Sequence, residues 1–176
     1  MRDNDMAHPP AGALPRVYRM YIARERVIGS IVNFVLSLVF TILLVPAASP
    51  ISLWGPQGIA VDLVPTVFML TLAGSLAITL LAKQRLRSGA IKPIPGHLCG
   101  AVARALPDNV LLRIVMVAVV VTAVVVPASV VGLALADVRS MSYGSYLAFK
   151  SIYGPFVGAL STATVVKAAL RNRGAR

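Results

Sequence analysis

The chain has 176 residues, 57% of them hydrophobic and only 13% charged, with a mean hydropathy of +0.81, a balance that excludes an ordinary water-soluble domain. Its net charge of +11 invites a nucleic-acid reading, but the basic stretches lack the aromatic or helical recognition features that such binding uses. The length leaves room for one membrane domain and no second soluble one.

The positions of the charges set the expected topology. Arg2, Arg16, Arg19, Arg24 and Arg26 precede the first apolar run. Lys83, Arg85, Arg87, Lys92, Arg104 and Arg113 fall between the second and third, and Lys167, Arg171, Arg173 and Arg176 close the chain. Of the 17 basic residues, only Arg139 and Lys150 lie elsewhere. This is the positive-inside pattern of a multi-pass protein of the bacterial inner (plasma) membrane with both termini in the cytoplasm.

Residues 1–26 read as a cytoplasmic tail and a basic segment. Pro9, Pro10, Gly12 and Pro15 sit among small and polar residues that lack the apolar periodicity to bury anything, which predicts disorder up to Pro15. From Arg16 to Arg26 arginines alternate with Val17, Tyr18, Tyr21 and Ile22. That mixture suits either a short interfacial helix against anionic lipid or a plain lead-in to the first span. No cleaved signal peptide is expected, since the apolar run begins near Val27 behind a long polar lead.

The membrane domain, residues 27–170, is expected to be all-α with four transmembrane helices at about 27–45, 59–82, 111–136 and 145–170, each close to the roughly 20 residues that hydrocarbon requires. Asn33 is the amide of the first span and should hydrogen-bond across helices. Pro46 marks that span's outer end, and Trp54, in the turn-rich stretch Leu53 to Gly58, suits an interface anchor. Asp62 and Pro65 fall in the first two turns of the second span, where the helix dipole favours a carboxylate.

The connection from Ser88 to Asp108 is punctuated by glycine and proline. His97 and Cys99 lie in it, and two such residues do not make a metal site. Valines dominate the third span, whose length argues for a membrane helix over a strand, and Pro127 should kink it by freeing the carbonyl of Ala123. The fourth span is the least apolar. Its hydrophobic residues contribute about 3 to 5 kcal/mol to insertion, and Lys150 opposes this by up to about 3 kcal/mol. It therefore needs neighbours: Gly154, Gly158 and Ser161 offer a small-residue face, and Pro155 leaves the carbonyl of Ser151 in want of a donor. Residues 171–176 form a basic cytoplasmic tail.

The two halves resemble each other. Thr41-Ile-Leu-Leu-Val-Pro46-Ala47 matches Thr122-Ala-Val-Val-Val-Pro127-Ala128, and Gly74, Leu76, Lys83, Leu86 and Arg87 recur as Gly158, Leu160, Lys167, Leu170 and Arg171. The pattern predicts two tandem hairpins as a parallel internal repeat, related by an axis along the membrane normal. Asp62 and Lys150 break the symmetry, because neither has a charged counterpart. Both lie at similar depth, about 6 to 8 Å below the outer surface, which predicts either an ion pair or two side chains that snorkel separately to the interface.

Leu53-Trp54-Gly55, Asp62, Phe149-Lys150 and Tyr153-Gly154 give the chain a resemblance to a group of small, uncharacterised four-helix bacterial membrane proteins, in which an outer Leu-Trp-Gly is followed by Asp and the last helix carries Phe-Lys. The resemblance implies the four-helix fold across residues 27–171 and brings no activity with it. The last helix departs from the pattern, running through Ser161, Thr162, Ala163 and Thr164 without the expected proline.

No enzyme is expected: there is no paired-cysteine motif, no acid cluster for metal-dependent chemistry and no serine with a plausible base, so neither cofactor nor metal is implied. The expected role is a noncatalytic, accessory or scaffold-like membrane protein. Its expected partners are the bilayer, including anionic lipids, and further copies of the chain or a larger membrane complex, without nucleic acid. The competing role is a small permease or ion pathway built on Asp62 and Lys150.

Overall fold

The structure is a computed structural model that describes residues 15–45, 50–94, 102 and 105–170. Four long helices dominate it: α1 (Arg16–Leu44), α2 (Ile59–Arg87), α3 (Val110–Leu135) and α4 (Tyr143–Leu170). Two short strands, β1 (Ile51–Ser52) and β2 (Ser140–Met141), pair antiparallel with Ile51 opposite Met141. The strand pair and the basic residues at the end of α2 mark opposite ends of the bundle, termed the hairpin end and the basic end.

Local chemistry explains where the helices begin and stop. Asn109 caps α3, its Oδ1 accepting from the amides of Leu111 at 3.0 Å and Leu112 at 3.3 Å. Ser142 does the same for α4, its Oγ accepting from the Ser145 amide at 3.2 Å. α2 carries Asp62 in its first turn and Arg85 and Arg87 in its last, matching both poles of its dipole. α3 ends in a Schellman motif. Asp137 takes the left-handed conformation (φ 51°), and the amides of Asp137 and Val138 reach back to the carbonyls of Ala134 and Leu133.

Three helices, α1, α2 and α3, are long and apolar enough to cross a membrane, which marks the chain as membrane-embedded. α4 has comparable length, 28 residues, but Lys150, Ser151, Ser161, Thr162 and Thr164 keep it outside that set. It turns much of this polar side inward: Lys150, Ser161 and Thr162 are all buried. α4 packs most extensively against α1, while α2 packs against α3 and α4, and α1 meets α2 only lightly.

Two apolar clusters form the core. At the hairpin end Leu53, Ile59, Leu63, Val67, Tyr146 and Val157 pack together. Tyr21, Ile22, Ile78, Ala82, Ile94 and Val166 do so toward the basic end. Ile94 is fastened there by its amide, which donates to the carbonyl of Leu170 at 2.8 Å.

Several expectations change. Residues 16–26 do not form a separate interfacial segment; they are the opening turns of α1, because nothing breaks the helix at Arg26 and because Tyr21, Ile22 and Glu25 are buried against the bundle. α2 continues past residue 82 to Arg87. The two hairpin-end loops are joined to each other through the β1–β2 pair and a bond from the Leu53 amide to the Arg139 carbonyl at 2.8 Å. α2, α3 and α4 contain Pro65, Pro127 and Pro155, the positions at which kinks are expected, within their lengths. The disorder expected before Pro15, the end mark at Pro46, the His97 and Cys99 stretch and the basic tail at 171–176 lie outside the described residues.

Candidate functional site

Asp62 is the fourth residue of α2 and Thr66 lies one turn further on, so both side chains lie on one side of that helix. Tyr146 and Lys150 repeat the same spacing on α4. The two pairs meet. Lys150 Nζ lies 2.5 Å from Asp62 Oδ2 and donates to Thr66 Oγ1 at 2.9 Å. Thr66 Oγ1 donates to the same Asp62 Oδ2 at 3.4 Å, and the Tyr146 hydroxyl also donates to it.

The pair is unequal in exposure: the Lys150 side chain is 1% exposed, that of Asp62 21%. An isolated ammonium taken out of water costs several kcal/mol, which explains the density of partners. The ammonium also sits 5.3 Å from the centre of the Tyr146 ring. Tyr146, Phe149 and Tyr153 stack along α4 with centroids 6.3 and 5.1 Å apart, and Ser129 of α3 donates to the Tyr153 hydroxyl at 3.1 Å. The ion pair is therefore held by α2 and α4 and backed by α3.

Asp62 also faces outward, into a cleft of about 250 Å³ lined by Val45, Pro56, Gln57, Gly58, Val61, Asp62 and Pro65. A neighbouring hollow of about 410 Å³ shares Val45, Pro56 and Gln57 with it and runs under the Pro50 to Gly55 loop. Trp54 stands exposed on the same loop. Gly58 is required here by close approach, because a Cβ on it would come within 2.8 Å of the Trp54 carbonyl carbon.

Asn33 occupies a second polar centre, deep between α1, α2 and α4. With its amide oriented to satisfy both neighbours, Nδ2 donates to the Leu70 carbonyl at 3.3 Å and Oδ1 accepts from the Gly158 amide at 3.2 Å. Gly74, Gly154 and Gly158 all surround α1 at this level. A Cβ on Gly154 would meet the Asn33 carbonyl and Ser37 Cβ at 2.7 Å each, and one on Gly158 would meet the Asn33 side-chain amide at 2.5 Å. Ser161 stays within α4, donating to Val157 at 3.1 Å. The cross-helix hydroxyls of Ser37 and Ser30 land on the carbonyls of Lys150 and Pro155, both at 3.2 Å, on either side of Ser151.

A third centre was not singled out from the sequence. Glu25 of α1 is buried and paired with Arg85 of α2, whose guanidinium also lies 5.2 Å from the Tyr21 ring centre. Among arginines in a polar lead-in, an acid with a partner 60 positions away gives no local signal. Thr66 and Tyr146 did carry one, since each stands a single turn from a charge already recognised.

No cluster of His, Cys, Asp or Glu among the described residues is suited to a metal ion. In comparisons with known proteins, no family model, no curated protein and no solved structure matches the chain.

Proposed function

We propose that the chain is a noncatalytic, accessory or scaffold-like protein of the bacterial inner membrane, crossing the bilayer four times with both termini in the cytoplasm. The observation that carries this reading is the burial of Lys150: its side chain is 1% exposed and its ammonium is tied to Asp62 and Thr66 between α2 and α4. α4 enters as the fourth span because α1 and α2 cover its polar stripe, lowering the cost that its composition alone would impose. α1 and α3 present apolar faces outward, among them Ile31, Val35 and Val39 on one and Val120, Val124 and Val131 on the other. Such faces suit lipid and the helices of a further copy or of a membrane assembly.

The helix packing is compatible with a doubled hairpin. An axis along the membrane normal would exchange α1 with α3 and α2 with α4. It would relate the α1–α4 interface to the α2–α3 interface, keep the α2–α4 interface at its centre and cross the β1–β2 pair, and all four contacts are present. The halves differ at their hairpin ends, where α1 stops at Leu44 while α3 continues through Pro127 to Leu135.

The test is in-membrane crosslinking from cysteines at Val35 and Val124, read by mass spectrometry. Reproducible stoichiometric crosslinks to one partner, or to a second copy, support the reading; a monomer free of crosslinks in native membranes overturns it. A permease or ion pathway is the second reading, favoured by the cleft that reaches Asp62. Ion flux in proteoliposomes that is abolished by Asp62→Asn would support it over the first.

A further inference from the structure

The cleft at the hairpin end collects hydrogen-bond acceptors with few donors. Three donors inside the bundle, from Lys150, Tyr146 and Thr66, all converge on Asp62 Oδ2. This leaves Oδ1 as the spare acceptor of a side chain that lines the cleft and is 21% exposed. Pro65 supplies a second acceptor. It has no N–H, so the helical bond to the carbonyl of Val61, four residues earlier, is missing, and both residues line the cleft. Gln57 also lines the cleft, and its side chain carries an amide oxygen that can accept.

The rest of the lining is apolar: Val45, Pro56 and Val61. Val61 and Val64 beside the cleft are 51% and 48% exposed on a helix apolar enough to span a membrane. The opening therefore faces lipid, at the level of the exposed Trp54 and the loops.

From this geometry we infer that the cleft binds the primary ammonium headgroup of an ethanolamine-type phospholipid. A primary ammonium has three N–H bonds to share among the Asp62 carboxylate, the Val61 carbonyl and the Gln57 amide oxygen, with the carboxylate supplying the charge-assisted bond. A choline headgroup carries the same charge but has no N–H to donate. The adjoining hollow beneath residues 50–55 gives the phosphoglycerol portion space to follow. This inference goes beyond the accessory role and holds equally for a permease.

The experiment uses the full chain in nanodiscs containing phosphatidylglycerol mixed equally with phosphatidylethanolamine or with phosphatidylcholine, and counts retained lipid by native mass spectrometry after transfer to mild detergent. Phosphatidylethanolamine should be retained about tenfold more strongly than phosphatidylcholine, the worth of one charge-assisted hydrogen bond. Pro65→Ala is the deciding variant, because it restores an N–H to the Val61 carbonyl and strengthens the helix while removing an acceptor. It should lower the preference severalfold while unfolding at the same or a higher temperature. Gln57→Leu, away from the ion pair, should weaken the preference as well. Equal retention of the two lipids, or a preference unchanged in both variants, overturns the proposal. So does full protection by millimolar soluble ethanolamine, which would make the ligand a free amine.

Discussion

Lys150 reaches from α4 to Asp62 on α2 with 2.5 Å between Nζ and Oδ2, and the two ends of that contact differ sharply in access to solvent, 1% against 21%. The asymmetry fixes the order of mutational damage. Asp62→Asn strands a buried ammonium and should cost about 3 kcal/mol or more. Lys150→Met leaves a carboxylate that the cleft can solvate and should cost less. The double variant should be milder than the sum of the singles by at least about 1 kcal/mol. Thermal unfolding in detergent, followed by circular dichroism, measures all three; strictly additive losses would show that the contact carries no coupling energy.

Glycines at different places in the bundle should respond in opposite directions to the same methyl group. Gly154→Ala forces a Cβ against the backbone of Asn33 and against Ser37 at 2.7 Å, and should cost about 1 to 2 kcal/mol. Gly132→Ala meets nothing within 4 Å and should stabilise α3 by up to about 1 kcal/mol. Unfolding midpoints of the two variants provide the comparison.

The Glu25–Arg85 pair predicts unequal single-variant effects as well. Glu25 is 1% exposed at its side chain and Arg85 is 27%. Arg85→Ala therefore leaves a buried carboxylate without its partner and should loosen the start of α1 more than Glu25→Ala does. Limited proteolysis around Arg16 to Arg26 should show faster cleavage in Arg85→Ala. Equal rates in both variants would place the stability of this end elsewhere.

The proposed four-span topology makes a labelling prediction. In a Cys99→Ser background, single cysteines at Ser88 and Ser140, both exposed, should react with a membrane-impermeant maleimide from opposite sides of the bilayer. Labelling of both from one side would rule out the proposed arrangement.

Much of this architecture was legible because hydrocarbon thickness imposes run lengths: residue 59 was recognised as the start of α2, and 111–136 anticipates the observed Val110–Leu135. The meeting of Asp62 with Lys150 was also within reach, since two charges at one depth in a nonpolar medium have few ways to be tolerated. What stayed hidden depends on long-range contact. Gly29 and Ser37 stand one turn either side of Asn33, yet only the approach of α4 and α2 makes that stripe an interface. The two loops read as ordinary turns because a pairing two residues long leaves almost no alternation in sequence.

The scant contact between α1 and α2, set against the extensive one between α1 and α4, has a consequence for biogenesis. The first hairpin emerges from the ribosome with Ser37 lacking the Lys150 carbonyl and Asn33 lacking the Gly158 amide, because both belong to α4, which is synthesised later. The nascent chain must hold a half-built interior until α4 arrives, so insertion and completion of the fold are separate events in time.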